Sequence, residues 1–142
     1  MRSFTCSHPA GFPPRTVSSG GGEVNGLAPD VIPPPDFRRG VANTAAEVRQ
    51  RVRELLNGGA DFIKIIVTGA VLAPGTLPGT PEYTEDELRA AVLEAGNYGT
   101  FVAAHAHGAE GIKRAVRAGV RSIEHGSLAD DEALDLMRQQ GT

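Results

Sequence analysis

The chain has a single cysteine, Cys6, so no disulfide can close within it and no cysteine pair is available to hold zinc. The fold therefore does not depend on an oxidising compartment, and the cytoplasm is the expected location. Long apolar runs are absent too. Nothing approaches the roughly 20 apolar residues of a membrane span, and Met1 to Gly11 lacks the continuous apolar stretch of a signal peptide. No membrane partner is expected. Nor is there an excess of basic residues: the formal net charge is −3, which offers nucleic acid no electrostatic footprint. Length is the last shortage. The 142 residues allow one domain with a core, but a complete barrel of eight strand-helix units needs roughly 250.

What is present divides into two parts. Residues 1–42 are dense in Pro, Gly and Ser, with Pro13-Pro14, Gly20-Gly21-Gly22 and Pro33-Pro34-Pro35, and read as irregular apart from one short strand around Arg15 to Ser18. Residues 43–142 alternate between helical and strand patterns. Thr44 and Glu47 have the spacing of a capping box and open a helix to about Asn57, with Val48, Val52, Leu55 and Leu56 on one face. The β-branched run Asp61 to Val67 reads as a buried strand. Thr84 and Glu87 repeat the capping box ahead of a helix to about Tyr98. Phe101 to Ala104 reads as a strand, Ala109 to Ala118 as a helix, Val120 to Glu124 as a strand and Asp130 to Gln140 as a helix. Such alternation with short connections predicts an α/β fold of parallel strands covered by helices, either a doubly wound sheet or part of a closed barrel.

Polar residues interrupt these strands at three successive carboxyl ends, the edge at which parallel α/β folds bind ligands. Lys64 lies among Phe62, Ile63, Ile65 and Ile66. Its aliphatic stem can pack while the amine reaches water; otherwise burial favours an amine that is neutral, modified or paired. His105 and His125 end the next two strands, each followed closely by a glycine, Gly108 or Gly126. Imidazole suits several divalent metals, so the two form a partial metal site, although each alone is also compatible with a histidine bonded to backbone. His107 is a third ligand, a substrate contact or a loop residue pointing into solvent. The Gly20 to Gly22 stretch reads as a flexible loop rather than an anion cradle, and the spacing of Cys6 and His8 as incidental.

These motifs, Gly59-Ala60-Asp61-Phe62-Ile63-Lys64, Phe101-Val102-Ala103-Ala104-His105-Ala106-His107-Gly108 and Gly119-Val120-Arg121-Ser122-Ile123-Glu124-His125-Gly126, resemble the amidohydrolase superfamily in its imidazolonepropionase-like and Xaa-Pro dipeptidase-like branch. The resemblance runs from about Ala42 to Thr142. It implies a partial (β/α)8 barrel of the TIM type, comprising roughly strand units three or four to six. It also implies that Lys64 is carboxylated and bridges two divalent metals, that His105 and His125 are ligands, and that His107 lies near the substrate. The implied cofactor is one or two divalent ions, zinc foremost. The implied reaction is hydrolysis of an amide or other C–N bond in a small, dipeptide-like molecule by metal-activated water, with an aspartate of the eighth strand moving the proton.

That aspartate has no counterpart after His125, no His-x-His pair precedes Lys64, and the histidine of a Gly-Gly-His loop is missing at Gly20 to Gly22. The stretch by itself is therefore expected to be inactive, and to form homo-oligomers or associate with the missing barrel segments through uncovered strand edges. Two other readings remain. The lysine motif followed by Thr68-Gly69 also resembles deoxyribose-phosphate aldolase, where the lysine forms a Schiff base, and a truncated, non-catalytic remnant would keep the ligands without the reaction.

Overall fold

The computed structural model describes residues 16–17, 40–69, 71 and 77–142. Cys6, His8, the Gly20 to Gly22 loop and the irregular character expected for most of residues 1–42 lie outside the described residues. In chain order the elements are β1 (Thr16–Val17), α1 (Ala45–Asn57), β2 (Ile63–Ile66), α2 (Glu85–Asn97), β3 (Val102–Gly108), α3 (Ala109–Ala118), β4 (Ser122–Leu128) and α4 (Asp131–Gln140). The strands form one sheet in the order β1-β2-β3-β4, every neighbouring pair parallel.

Period-two alternation gives the sheet two unlike faces. Ile63 and Ile65 pair in register with Val102 and Ala104, and these residues, with Ala106, are buried in the core. Against them lie Val48, Val52 and Leu55 of α1, Leu88, Ala91 and Ala95 of α2, and Ile112, Ala115 and Val116 of α3. Each helix packs on the next along the chain. The opposite face carries Lys64, Ile66, Ala103, His105, Ser122 and Glu124, placed there by the same register. Helices on one side and polar groups on the other is the layout of a barrel segment, whose inner face is lined by strand residues.

The helix starts are chemically specified. Thr84 and Glu87 form the full reciprocal box, with the Glu87 carboxylate accepting from the Thr84 N–H at 2.8 Å. At α1 only half of the expected box forms. The Thr44 hydroxyl accepts from the Glu47 N–H, but the Glu47 carboxylate takes the N–H of Asn43, one residue earlier, at 2.8 Å. Helix α1 is held to α2 by a buried carboxylate, since Glu94 is 3% exposed and accepts two hydrogen bonds from Arg53 at 2.6 and 3.2 Å. At the amino ends of the strands the Phe62 and Phe101 rings stack at 5.1 Å, and the Arg121 guanidinium lies 4.6 Å from the Phe101 ring centre. These contacts close the end of the sheet away from the histidines.

Two strands differ from expectation. The third runs to Gly108 rather than Ala104, and the fourth spans Ser122–Leu128 rather than Val120 to Glu124. Polar histidines and small residues give a weak strand signal, yet parallel pairing continues through them because their side chains have a second face to occupy. His105 and His107 are therefore strand residues, with His105 paired to Ile66 on one side and to Glu124 on the other.

The connection from β2 to α2 folds back over this end of the sheet. Thr68 bridges antiparallel to Pro81, and the Gly69 N–H donates to the Thr80 carbonyl at 3.2 Å. The approach is close enough to demand glycine, for a Cβ at Gly108 would stand 2.2 Å from the Gly79 carbonyl oxygen. Gly108→Ala is accordingly expected to lower stability by about 1–3 kcal/mol, as overpacking against backbone does. Urea denaturation of the two proteins measures this.

Candidate metal and substrate site

Three imidazoles converge at the carboxyl ends of β3 and β4. The ring centres of His105 and His107 are 4.8 Å apart, those of His105 and His125 4.7 Å, and those of His107 and His125 4.8 Å. Their candidate ligand atoms all lie within 4.8 Å of one another.

His105 and His107 share a face because they are two residues apart on a strand. His125 reaches that face by a different route. In register it pairs with Ala106, and it follows Ile123, which packs against the hydrophobic core. A regular strand would turn it toward the helices. Instead its backbone adopts φ 79°, the one positive φ of a non-glycine residue among the described residues, and Gly126 follows at φ 61°. The pairing of β3 with β4 shifts register at the same place, between Ala106 and Gly108. This irregularity re-aims the imidazole, and left-handed backbone at a non-glycine residue costs about 1–2 kcal/mol.

The electrostatics follow from crowding. His105 is half-buried and its pKa is pushed down to about 4, chiefly by burial, then by repulsion from protonated His125 and His107 and from the Lys64 ammonium. A backbone hydrogen bond with Gly69 opposes the shift. Nε2 of the same ring is buried with no hydrogen-bond partner among the described residues. The His125 and His107 rings lie beside it, their centres 4.7 and 4.8 Å from that of His105. His107 is likewise lowered, by burial first and then by His125. Its Nδ1 lies 2.7 Å from the Ser127 hydroxyl, and its backbone N–H donates to the Thr68 hydroxyl at 2.9 Å.

An orphaned buried nitrogen beside two further imidazoles fits a divalent cation, because nitrogen lone pairs are the ligands it uses and no group among the described residues satisfies that nitrogen. Lys64 stands on the same sheet face, two residues before Ile66, the register partner of His105. All four residues singled out in the sequence thus belong to one face or one cluster. His107 is 7% exposed, so the alternative of a loop histidine in solvent does not hold: β3 extends through it and the β2–α2 connection covers it. Sequence reasoning did not single out Thr68, Ser127 or Gly69 as supports. In the sequence Thr68-Gly69 stands out only as part of an aldolase-like motif, and a hydroxyl that bonds to a neighbouring strand leaves no periodic signal.

Comparison with known proteins agrees with this geometry. The model of the amidohydrolase family matches residues 14–142. Ochratoxinase of Aspergillus niger is 38% identical over 101 residues, which are 71% of this chain and 21% of that protein. Among solved structures, a Xaa-Pro dipeptidase with bound methionine in the active site aligns with a TM-score of 0.79 at 47% identity, over 89% of this chain and 32% of that one. A prolidase complexed with N-methylphosphonate-L-proline gives 0.78 at 40% identity, over 89% and 33%. The chain thus spans about a fifth of the curated relatives' length and a third of the solved chains it matches.

The His105 shift generates a prediction for the metal-free protein. A histidine whose pKa falls from 6.5 in the unfolded chain to about 4 when folded leaves the unfolded state binding more protons between those values. Stability is therefore full above pH 6.5 and declines as pH falls toward 4. Denaturation midpoints in chelator across this window should show the decline, and His105→Gln should flatten it.

Proposed function

The chain belongs to the amidohydrolase family, and from that premise we propose that it supplies the central metal-binding strands of a hydrolase acting on an amide or other C–N bond. The observation that carries the proposal is the unpartnered buried Nε2 of His105 inside a cluster of three imidazoles. In this reading His105 and His125 are metal ligands, Lys64 is a bridging ligand as its carbamate, and the cofactor is one or two divalent ions, zinc foremost. When bound, such an ion acts as a Lewis acid toward a carbonyl and brings the pKa of water to about 7.

The protein groups have distinct tasks. Strand pairing with Ile66 and Glu124 fixes the backbone of His105, whose buried Nε2 is free to bind an ion. The strained turn at His125 brings a second lone pair to the same place. Lys64 as an ammonium adds repulsion to His105. As a neutral amine it can bond to carbon dioxide and release a proton, becoming an anion that reverses this repulsion. His107, fixed by Thr68 and Ser127, contacts the substrate.

The substrate class we propose is a small amide or dipeptide-like molecule, in keeping with the dipeptidase and prolidase that the chain resembles. The proton-transferring carboxylate, further ligands and the remaining strands of a (β/α)8 barrel come from segments outside these strand units. The outer edge of β4, which carries no partner strand among the described residues, is where the barrel continues or where association occurs. No helix of the described residues is long and apolar enough to cross a membrane; the proposed site of action is the cytoplasm. The family match favours this hydrolase over the Schiff-base alternative for Lys64.

The test is titration of the chelator-treated protein with cobalt(II), followed by its visible spectrum. Saturable binding is expected, and His105→Ala or His125→Ala should weaken it by about 100-fold or more, since each removes a ligand. Binding that survives both substitutions would place the metal elsewhere and overturn the reading. Native mass spectrometry in bicarbonate checks Lys64: a mass increase of one carbon dioxide should appear and vanish in Lys64→Met.

A further inference from the structure

The ladder between β2 and β3 is interrupted at the level of the histidines. The Val67 N–H donates to the His105 carbonyl at 2.9 Å, and regular parallel pairing would next send the His107 N–H to the Val67 carbonyl. That carbonyl is already taken, because the returning connection places the Glu82 N–H on it at 2.8 Å. The His107 N–H goes instead to the Thr68 hydroxyl, 2.9 Å away and fully buried. Thr68 thus replaces a missing backbone acceptor with a side chain. Its methyl group presses on the first turn of α3, where a Cβ at Gly111 would lie 2.3 Å from Cγ2. The two branches of one residue tie the end of β3 to the start of α3.

From this we infer that Thr68 is a positioning residue that, together with Ser127, clamps His107 at two points and so sets the geometry of the histidine cluster. Thr68 fixes the backbone of His107, and Ser127 fixes Nδ1 of its ring at 2.7 Å. The ring's other nitrogen is then directed without freedom to rotate. Neither clamp residue is in the ligand set proposed above. Only the metal readout below depends on that proposal.

Two substitutions separate the hydroxyl from the methyl group. Thr68→Val keeps the shape and loses the acceptor, whereas Thr68→Ser keeps the acceptor and loses the methyl group. Hydrogen exchange of the His107 amide should accelerate about tenfold in Thr68→Val, as loss of one hydrogen bond implies, while the Ala104 amide is unchanged. The long-range nitrogen spectrum of the His107 ring should shift toward mixed tautomers in the same variant, and Thr68→Ser should restore both signals. Cobalt(II) affinity should stay nearly unchanged in Thr68→Val and in Thr68→Ser, because the clamp acts on His107 and leaves the proposed ligands His105 and His125 in place. Ser127→Ala, at an exposed position, should alter the ring signal without touching the core, and keeps the clamp testable if Thr68→Val fails to fold. If Val and Ser at position 68 give the same amide and ring signals, or if Ser127→Ala leaves the ring spectrum unchanged, the clamp is wrong. If the wild-type protein binds no cobalt, the metal reading fails, while the amide and ring signals still decide the role of Thr68.

Discussion

Three imidazoles packed ring to ring, one with a buried nitrogen that has no hydrogen bond, repel one another when protonated and satisfy one another poorly when neutral. An unsatisfied buried polar atom alone costs about 1–3 kcal/mol, and the left-handed backbone at His125 adds to it. Much of the surrounding structure acts to hold that arrangement. The β3 strand carries two of the rings on one face, the register shift in β4 turns the third toward them, and the β2–α2 connection folds over the same end.

The scaffold separates stability from chemistry along the strand axis. Near the amino ends of the strands the stacked Phe62, Phe101 and Arg121 close the sheet. Beneath the sheet, small alanines on β3 let the helices approach, and Glu94 joins α1 to α2 through charge-assisted hydrogen bonds. None of these groups takes part in the histidine cluster. The carboxyl ends, by contrast, concentrate backbone strain and lowered histidine pKa values, the combination that functional sites show.

Much of this was legible beforehand because it is local. Capping residues and apolar periodicity marked the four helices to within a residue or two, and the β-branched run around Lys64 marked β2. The ends of β3 and β4 were not legible, since His105-Ala106-His107-Gly108 and His125-Gly126-Ser127 lack the alternating apolar signal by which strands are read. The half-formed box at Thr44 shows the same limit at atomic scale. Spacing named both partners, but the extended backbone at Asn43 decided which N–H the Glu47 carboxylate would accept.

The sequence by itself determined the α/β alternation, the placing of Lys64, His105 and His125 along successive strands and the motifs of the amidohydrolase family, because residue type, spacing and helix capping are properties of short segments. Tertiary structure alone decided that His107 is buried beside the other two rings, that His125 leaves its regular strand direction to meet them, and that a threonine hydroxyl stands in for a backbone carbonyl. Those outcomes depend on which groups compete for one acceptor across neighbouring strands, here the Val67 carbonyl taken by Glu82. That competition exists only once the chain has folded.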